Sequence, residues 1–446
     1  MSNMQKYFIP SSLVVAMAVL TACSSQPSAT QRAPIKVVQA TQPQPAPQPV
    51  IVQETRQVVV AKPTQSVVTQ KPSQAYYASF GEWRNDFISR ATAKGVNASI
   101  LNELMANASL NQRVIDLDRS QAEFTKMPWE YVESAVTSSR VSQGKSKLNE
   151  NFAVLSSAEN MYGLPKEVTT AIWAMESGFG ANTGSMDLVN SLSSLAYDGR
   201  RREFAENQLI AMVEMIQRGD ASLSQFKGSW AGGMGHTQFI PTTWMAEGVD
   251  GNGDGRKNPW NSADALSSTA SYLGNAGWMR GLAPFYEVRL PSGFDYALLN
   301  SGKRSLDAWK SAGLSAVGGE SFGGNHEAEL WLPAGKNGPA LLLTKNFDVI
   351  KVYNNSSSYA LGVALLAKRM AGGSGIVQSW PRDEQPLSRT QVQTLQRKLT
   401  ELGYDTGGVD GVAGANTRKA FARWQSANGQ IPDGFISQST ANSLIW

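Results

Sequence analysis

The chain has 446 residues, 41% apolar and 17% charged, enough for roughly two to four domains with sizeable cores. Forty Lys and Arg stand against 36 Asp and Glu, a net charge of +4. That is too weak for an electrostatic nucleic-acid binder, and it suits an anionic polymer partner without proving one. One Cys and two His exclude a disulfide framework and a zinc site built mainly from Cys and His.

The N-terminus reads as an export signal. Lys6 supplies positive charge, and residues 13–20 (LVVAMAVL) form an apolar run shorter than the roughly 20 residues a spanning helix needs. The run ends in Leu20-Thr21-Ala22-Cys23, which resembles the bacterial lipoprotein box. The resemblance implies cleavage of a 1–23 signal peptide, lipidation of Cys23, and an outer membrane lipoprotein facing the periplasm. A plain secretory signal is the alternative, but the sole Cys falls at the cleavage point. Residues 24–75 form a linker with eight Pro and eleven Gln, too poor in apolar surface to offset its ordering entropy.

From Ala75 the composition changes, and Tyr76, Tyr77, Phe80 and Trp83 appear together. The pattern to about residue 216 is mostly helical, with a polar break near Asn190. Leu101, Leu104 and Met105 keep helical spacing, as do Leu209, Met212, Val213 and Ile216. Residues 285–352 read as strands and loops, and 359–370 as a helix. A Gly-rich break opens a second linker at 373–386. In the last sixty residues, Val392, Leu395, Leu399 and Leu402 form one helix face, and Thr417, Ala420, Phe421 and Trp424 another. This segment, 387–446, is expected to be a small three-helix bundle.

In residues 163–184, Val168, Ile172 and Glu176 fall on one helical stripe, and Ser177-Gly178 ends the helix directly after the acid. A carboxylate there faces the negative end of the helix dipole and is desolvated by Ile172, Trp173 and Met175. Both effects raise its pKa, as a general acid requires. The alternative is a Glu reaching to solvent from a frayed helix end. Residues 228–244 (GSWAGGMGHTQFIPTTW) carry Ser229, Gln238 and four Gly within eight residues. Open amides, a hydroxyl, a side-chain amide and nearby aromatics suit a sugar-binding floor. A tight structural turn gives the same pattern and is the commoner cause. His236 reads as a polar loop residue. Asp250, Asn252 and Asp254 match the opening half of an EF-hand loop, and Asp264 stands where an enlarged loop would close. Ca2+ is the ion such a loop takes, but Asn261 stands at position 12, Arg256 and Lys257 oppose a cation, and an Asx-rich turn reads alike.

The stretches DLDRSQAEFTK (116–126), AIWAMESGFGANTG (171–184), SLAYDGRRREF (194–204), the 228–244 segment, VDGNGDGRKNPWNSADAL (249–266) and NFDVIKVYNNSSSYALGVALL (346–366) resemble the lytic murein transglycosylase B family. Asp410, Gly411, Gly414 and Thr417, between two helices, resemble the peptidoglycan-binding type 1 domain. The resemblance implies a mainly α (α+β) protein. A lysozyme-like catalytic core with extra helical and small β parts fills 76–372, and the binding bundle fills 387–446. It implies that Glu176 is the catalytic acid/base. Ser229, Gln238, Arg200, Arg201, Tyr272, Tyr353, Asn354 and Tyr359 would contact the glycan or orient the Glu. Asp250, Asn252, Asp254 and Asp264 match the family's EF-hand-like loop, and Gly233 stands where Ala is common.

The implied reaction cleaves the β-1,4 bond between N-acetylmuramic acid and N-acetylglucosamine and closes a 1,6-anhydro ring. No second acid stands out beside Glu176, since Asp187 and Asp198 lack supporting context. Ordinary glycosidases need two carboxylates about 5–9.5 Å apart. The expected partners are peptidoglycan strands and, through the lipid, a membrane. No cofactor is required. A hydrolytic muramidase and a non-catalytic peptidoglycan-binding lipoprotein are the alternatives.

Overall fold

The computed structural model describes residues 77–119 and 126–446. The signal peptide read at 1–23, its Cys23 and the linker at 24–75 lie outside the described residues. Helices dominate the rest.

One helical core joins Pro128–Ala135, Ser138–Glu150, Phe152–Tyr162, Lys166–Ser177, Ser262–Asn275, Lys345–Tyr353 and Ser357–Met370. The Lys166–Ser177 helix is its centre: Val168 through Ala174 are all buried, the mark of a helix covered on every side. The Ser138–Glu150 helix comes so near the Ser357–Met370 helix that a Cβ on Gly144 would lie 2.2 Å from Met370 Sδ. A second core joins Phe80–Ala93, Ala98–Met105, Leu188–Asp198, Arg202–Arg218 and Pro241–Glu247 around Trp83, Leu192, Leu209 and Trp244. Tyr272 and Tyr353 pack against both cores, so these two rings mark the boundary between them.

The polar break expected near Asn190 is absent, because Leu188–Asp198 is helical through it. Its polar residues are satisfied in place: Asp187 caps the helix through the Asn190 amide, and Asn190 Oδ1 accepts from the Ser109 amide at 2.8 Å. The real interruption is the turn after Gly178, whose left-handed backbone (φ 59°) ends the Lys166–Ser177 helix.

The strand-like stretch forms a five-stranded antiparallel sheet. Its strands run in the order Arg304–Ser305, Glu327–Trp331, Ala340–Thr344, Phe285–Arg289, Ser315–Ala316. Trp309, Leu330 and Leu342 fill a small core on it. On the strand Phe285–Arg289, the buried Glu287 carboxylate accepts from the Val377 amide at 2.9 Å and the Gln378 amide at 2.7 Å. The second linker is thereby pinned to the sheet.

The C-terminal bundle comprises Arg389–Glu401, Ala415–Ala427 and Asn442–Ile445. Val392, Leu395, Leu399, Phe421 and Trp424 fill its core. Leu402, read as part of the first helix face, is instead 55% exposed: the helix stops at Glu401 and the chain turns at Gly403 (φ 87°). The Asp-Gly loop does structural work. Gln396 Nε2 donates to Asp410 Oδ1 (2.8 Å) and Thr417 Oγ1 (3.1 Å), and Gln396 Oε1 accepts from the Gly411 amide (2.9 Å). Trp129 packs against Trp380 of the linker and Phe435 of the bundle, with ring centroids 6.0 and 6.5 Å apart. The Arg382–Glu133 ion pair and the Lys336 amide on Asp433 add to the same seam.

Candidate active site

Glu176 occupies the last turn of the Lys166–Ser177 helix, where Val168 and Ile172 commit its stripe to the core. The residue is half-buried. Burial pushes its carboxyl up to about 7, against the one opposing influence, a 2.5 Å hydrogen bond donated by the Tyr359 hydroxyl to Oε1. No charged neighbour contributes to that shift. Tyr359 itself is buried at the start of the Ser357–Met370 helix, and its pKa is raised by burial and by the nearby Glu176. Tyr353 shows the same pair of causes, and its hydroxyl donates to the Thr237 carbonyl. Tyr131 is a third tyrosine acted on by Glu176, after burial. It was not picked out from the sequence, where a lone Tyr after an undistinguished Glu gives no signal.

The Gly-rich segment folds as a tight turn beside this acid. The Ser229 amide donates to the Gly233 carbonyl at 2.9 Å, and Ser229 Oγ accepts from the Gly233 amide at 2.9 Å. Gln238 stands in left-handed backbone (φ 54°), and its side-chain amide donates to the carbonyls of Thr183 (3.0 Å) and Gly235 (2.8 Å). A Cβ on Gly233 would lie 2.7 Å from Gln238 Oε1 and 2.9 Å from Ser229 Oγ. Gly233 therefore sets the spacing of these two side chains. Phe239 packs edge-on against both Tyr272 and Tyr353, which joins this turn to the boundary between the cores. Glu176, Tyr359, Tyr353, Tyr272, Gln238 and Ser229 thus belong to one connected neighbourhood.

Other expected residues stand apart from it. Arg200 and Arg201 are held by Asp118: Arg200 Nε lies 3.0 Å from Oδ2, and Arg201 Nη1 3.5 Å from Oδ1. They line a cavity of about 750 Å3 with Phe87, Arg90, Lys94 and Arg202, a lining that includes neither Glu176 nor its tyrosines. Asn354 is exposed at the end of the Lys345–Tyr353 helix. Asp187 is a helix cap and Asp198 pairs with Arg119, so neither is free to serve as a second catalytic carboxylate.

The acidic loop closes on itself. Asp250 accepts from the amides of Gly253, Asp254 and Gly255, and these hold its carboxyl below the ordinary range. Asn252 and Asp254 cap the amides two residues on. Asp264 is fully buried, and both its oxygens are taken by the Gly251, Asn252 and Asn258 amides. Asn261 points the other way and caps the Ser262–Asn275 helix. Among the described residues no group of three acidic, His or Cys side chains is placed to hold a metal ion. The oxygens matched to the EF-hand-like loop accept from backbone amides, which fixes the loop's shape and leaves each carboxylate oxygen a further lone pair.

The site thus brings a helix-borne acid together with buried tyrosines and a Gly-rich turn, and comparison with known proteins gives the class of protein that holds it. The family profile described as Transglycosylase SLT domain matches residues 79–368, and a peptidoglycan binding domain profile matches 388–444. The chain belongs to the transglycosylase SLT family, and it is a lytic transglycosylase that cleaves peptidoglycan. It is 28% identical to membrane-bound lytic murein transglycosylase B of Escherichia coli K12 over 302 residues, 64% of this chain and 81% of that protein. The crystal structure of SltB3 from Pseudomonas aeruginosa, in complex with NAG-NAM-pentapeptide, superposes with a TM-score of 0.78 at 43% identity. That match covers 82% of this chain and all of the other. The Escherichia coli lytic transglycosylase Slt35 in complex with calcium gives a TM-score of 0.57 at 26% identity, covering 65% and 92%.

Proposed function

We propose that Glu176 is the sole acid and base of the reaction. The carboxyl, kept protonated near neutrality by burial, first gives its proton to the departing glycosidic oxygen. As a carboxylate it then takes the proton of the muramoyl C6 hydroxyl, which attacks C1 and closes the 1,6-anhydro ring. The attacking hydroxyl is already part of the substrate, so its effective molarity exceeds that of water by orders of magnitude. Tyr359 would orient the carboxyl and steady its charged form between the two transfers. Ser229, Gln238, Tyr272, Tyr353 and Asn354 would line the glycan path. Arg200 and Arg201 would meet stem-peptide carboxylates at the edge of their basic cavity. The observation that carries this reading is a single acid, held at about 7, whose shift no other charged group influences.

The same reading assigns 76–372 to catalysis, 373–386 to the linker and 387–446 to peptidoglycan binding. It places a signal peptide at 1–23, a lipid on Cys23 and the enzyme on the outer membrane facing the periplasm, with 24–75 as the spacer. The membrane-bound relative supports a periplasmic, membrane-associated setting. Calcium has no part in the chemistry. An ion at Asp250, Asn252, Asp254 and Asp264 would only brace a loop that amides already close.

Mass analysis of digested sacculi tests the mechanism. Every new muramoyl end is expected to be one water lighter than a reducing end, and Glu176→Gln is expected to release none. Reducing ends only, or an active Gln variant, would sink it.

A further inference from the structure

We infer that His236 is a positioning residue for Glu176, a clasp between the acid's helix and the glycan-facing turn. The inference rests on reading Glu176 as the acid/base.

Three contacts converge on His236 from residues that flank the acid. Trp173, one turn before Glu176, donates its indole N–H to His236 Nδ1 at 3.1 Å, and the two rings pack with centroids 5.6 Å apart. Ser177, directly after Glu176, donates its hydroxyl to the His236 carbonyl at 2.5 Å, and the same hydroxyl accepts from the Gly180 amide at 2.8 Å. The imidazole also sits against the backbone of Gly180, where a Cβ would lie 2.4 Å from Nδ1. On its other side the His236 amide donates to the Pro259 carbonyl at 3.0 Å.

The clasp holds strained chain on both sides. Phe179 (φ 63°) and Gln238 (φ 54°) are the only non-glycine residues with positive φ among those described. Left-handed backbone at a residue with a side chain is strained and persists only where its surroundings over-determine it. One lies three residues after Glu176, and the other two residues after His236. Releasing His236 would let both corners relax, and the carboxyl would move relative to Gln238 and Ser229. A displacement near 1 Å at a reacting group lowers rate by about 10²-fold.

The ring works in its neutral form. Nδ1 accepts from the indole, so the proton is on Nε2, on the side of the Trp260 backbone. The groups packed against it are Trp173 and Ser177 of the helix, Gly180 of the corner, and Pro259 and Trp260 of the following loop. None of these carries a charge. Burial lowers its pKa from the ordinary histidine value. Protonation at low pH would turn Nδ1 into a donor and break the indole bond.

The test uses the full chain and solubilised glycan strands, with kcat, KM and a pH profile for His236→Leu, His236→Asn and Trp173→Phe, and a thermal melt for each. His236→Leu is expected to lose about 10- to 100-fold in kcat, with KM within about twofold, at a temperature where it is folded. His236→Asn, whose amide oxygen stands near the Nδ1 position, is expected to recover to within about threefold of wild type. Its rate should hold on the acid side, where the wild type falls. Should the Leu variant not fold, Trp173→Phe removes the indole donor alone and is expected to lower kcat in the same sense. Wild-type kcat in both disruptive variants, a change confined to KM, or an Asn variant no better than Leu would overturn the inference. Activity in Glu176→Gln would instead remove the acid/base reading beneath it.

Discussion

Asp264 and Glu176 are both acids whose pKa is raised chiefly by burial, and they differ in what surrounds the oxygens. Asp264 is fully buried and receives three backbone amides, so its lone pairs are spent on holding a loop closed. Glu176 keeps more contact with solvent, and its oxygens receive a single hydroxyl. The saturated acid is architecture. The under-satisfied acid, one oxygen engaged and one without a described partner, is poised to exchange a proton. Burial alone does not distinguish the two; hydrogen-bond saturation does.

The sharpest break of this contrast is Glu176→Gln, expected to lower turnover by about 10³-fold or more because one group serves both proton transfers. In the wild type kcat/KM should fall as pH rises through about 7, since the first transfer needs the protonated form. Stability moves in the same direction. The folded pKa lies above the ordinary 4.5, so stability is full below about 4.5, declines as pH rises to about 7, and is level beyond. The loss is at most about 3 kcal/mol, and the Gln variant should not show it. Urea unfolding at pH 5 and pH 8 measures the difference.

Asp264→Ala is expected to act oppositely, lowering stability by about 2 kcal/mol as three part-buried amides lose their acceptor. It should leave kcat near wild type at a temperature where the variant is folded. Equal losses of kcat in folded Asp264→Ala and Glu176→Gln would erase the contrast.

Tyr359→Phe tests the single hydroxyl. That bond holds Glu176 down, so its removal should move the alkaline limb upward in pH while kcat falls roughly tenfold through lost orientation. An unmoved limb would mean the hydroxyl does not govern the acid.

Much of the site was legible because helical spacing is a local property. Val168, Ile172 and Glu176 share a stripe in any helix, and Ser177-Gly178 ends it. The EF-hand pattern was legible too, and the structure adds how the loop holds its shape, through carboxylates that accept from its own amides. Arg200 and Arg201 show the same limit. Their pairing looked free in the sequence until Asp118, some eighty residues earlier, took them up. Gly233 was given no role from the sequence, yet it sets the room between Ser229 and Gln238.

The sequence by itself determined most of the elements, the order of the two domains and the acid at the helix end, because propensity, periodicity and glycine placement act over a few residues. Tertiary structure decided which acids are satisfied, that the Tyr359 hydroxyl bonds Glu176 while Tyr131 lies within its electrostatic influence, and that His236 meets Trp173 across some sixty residues. Those outcomes depend on desolvation and on hydrogen-bond partners brought from distant segments, which exist only once the cores have packed.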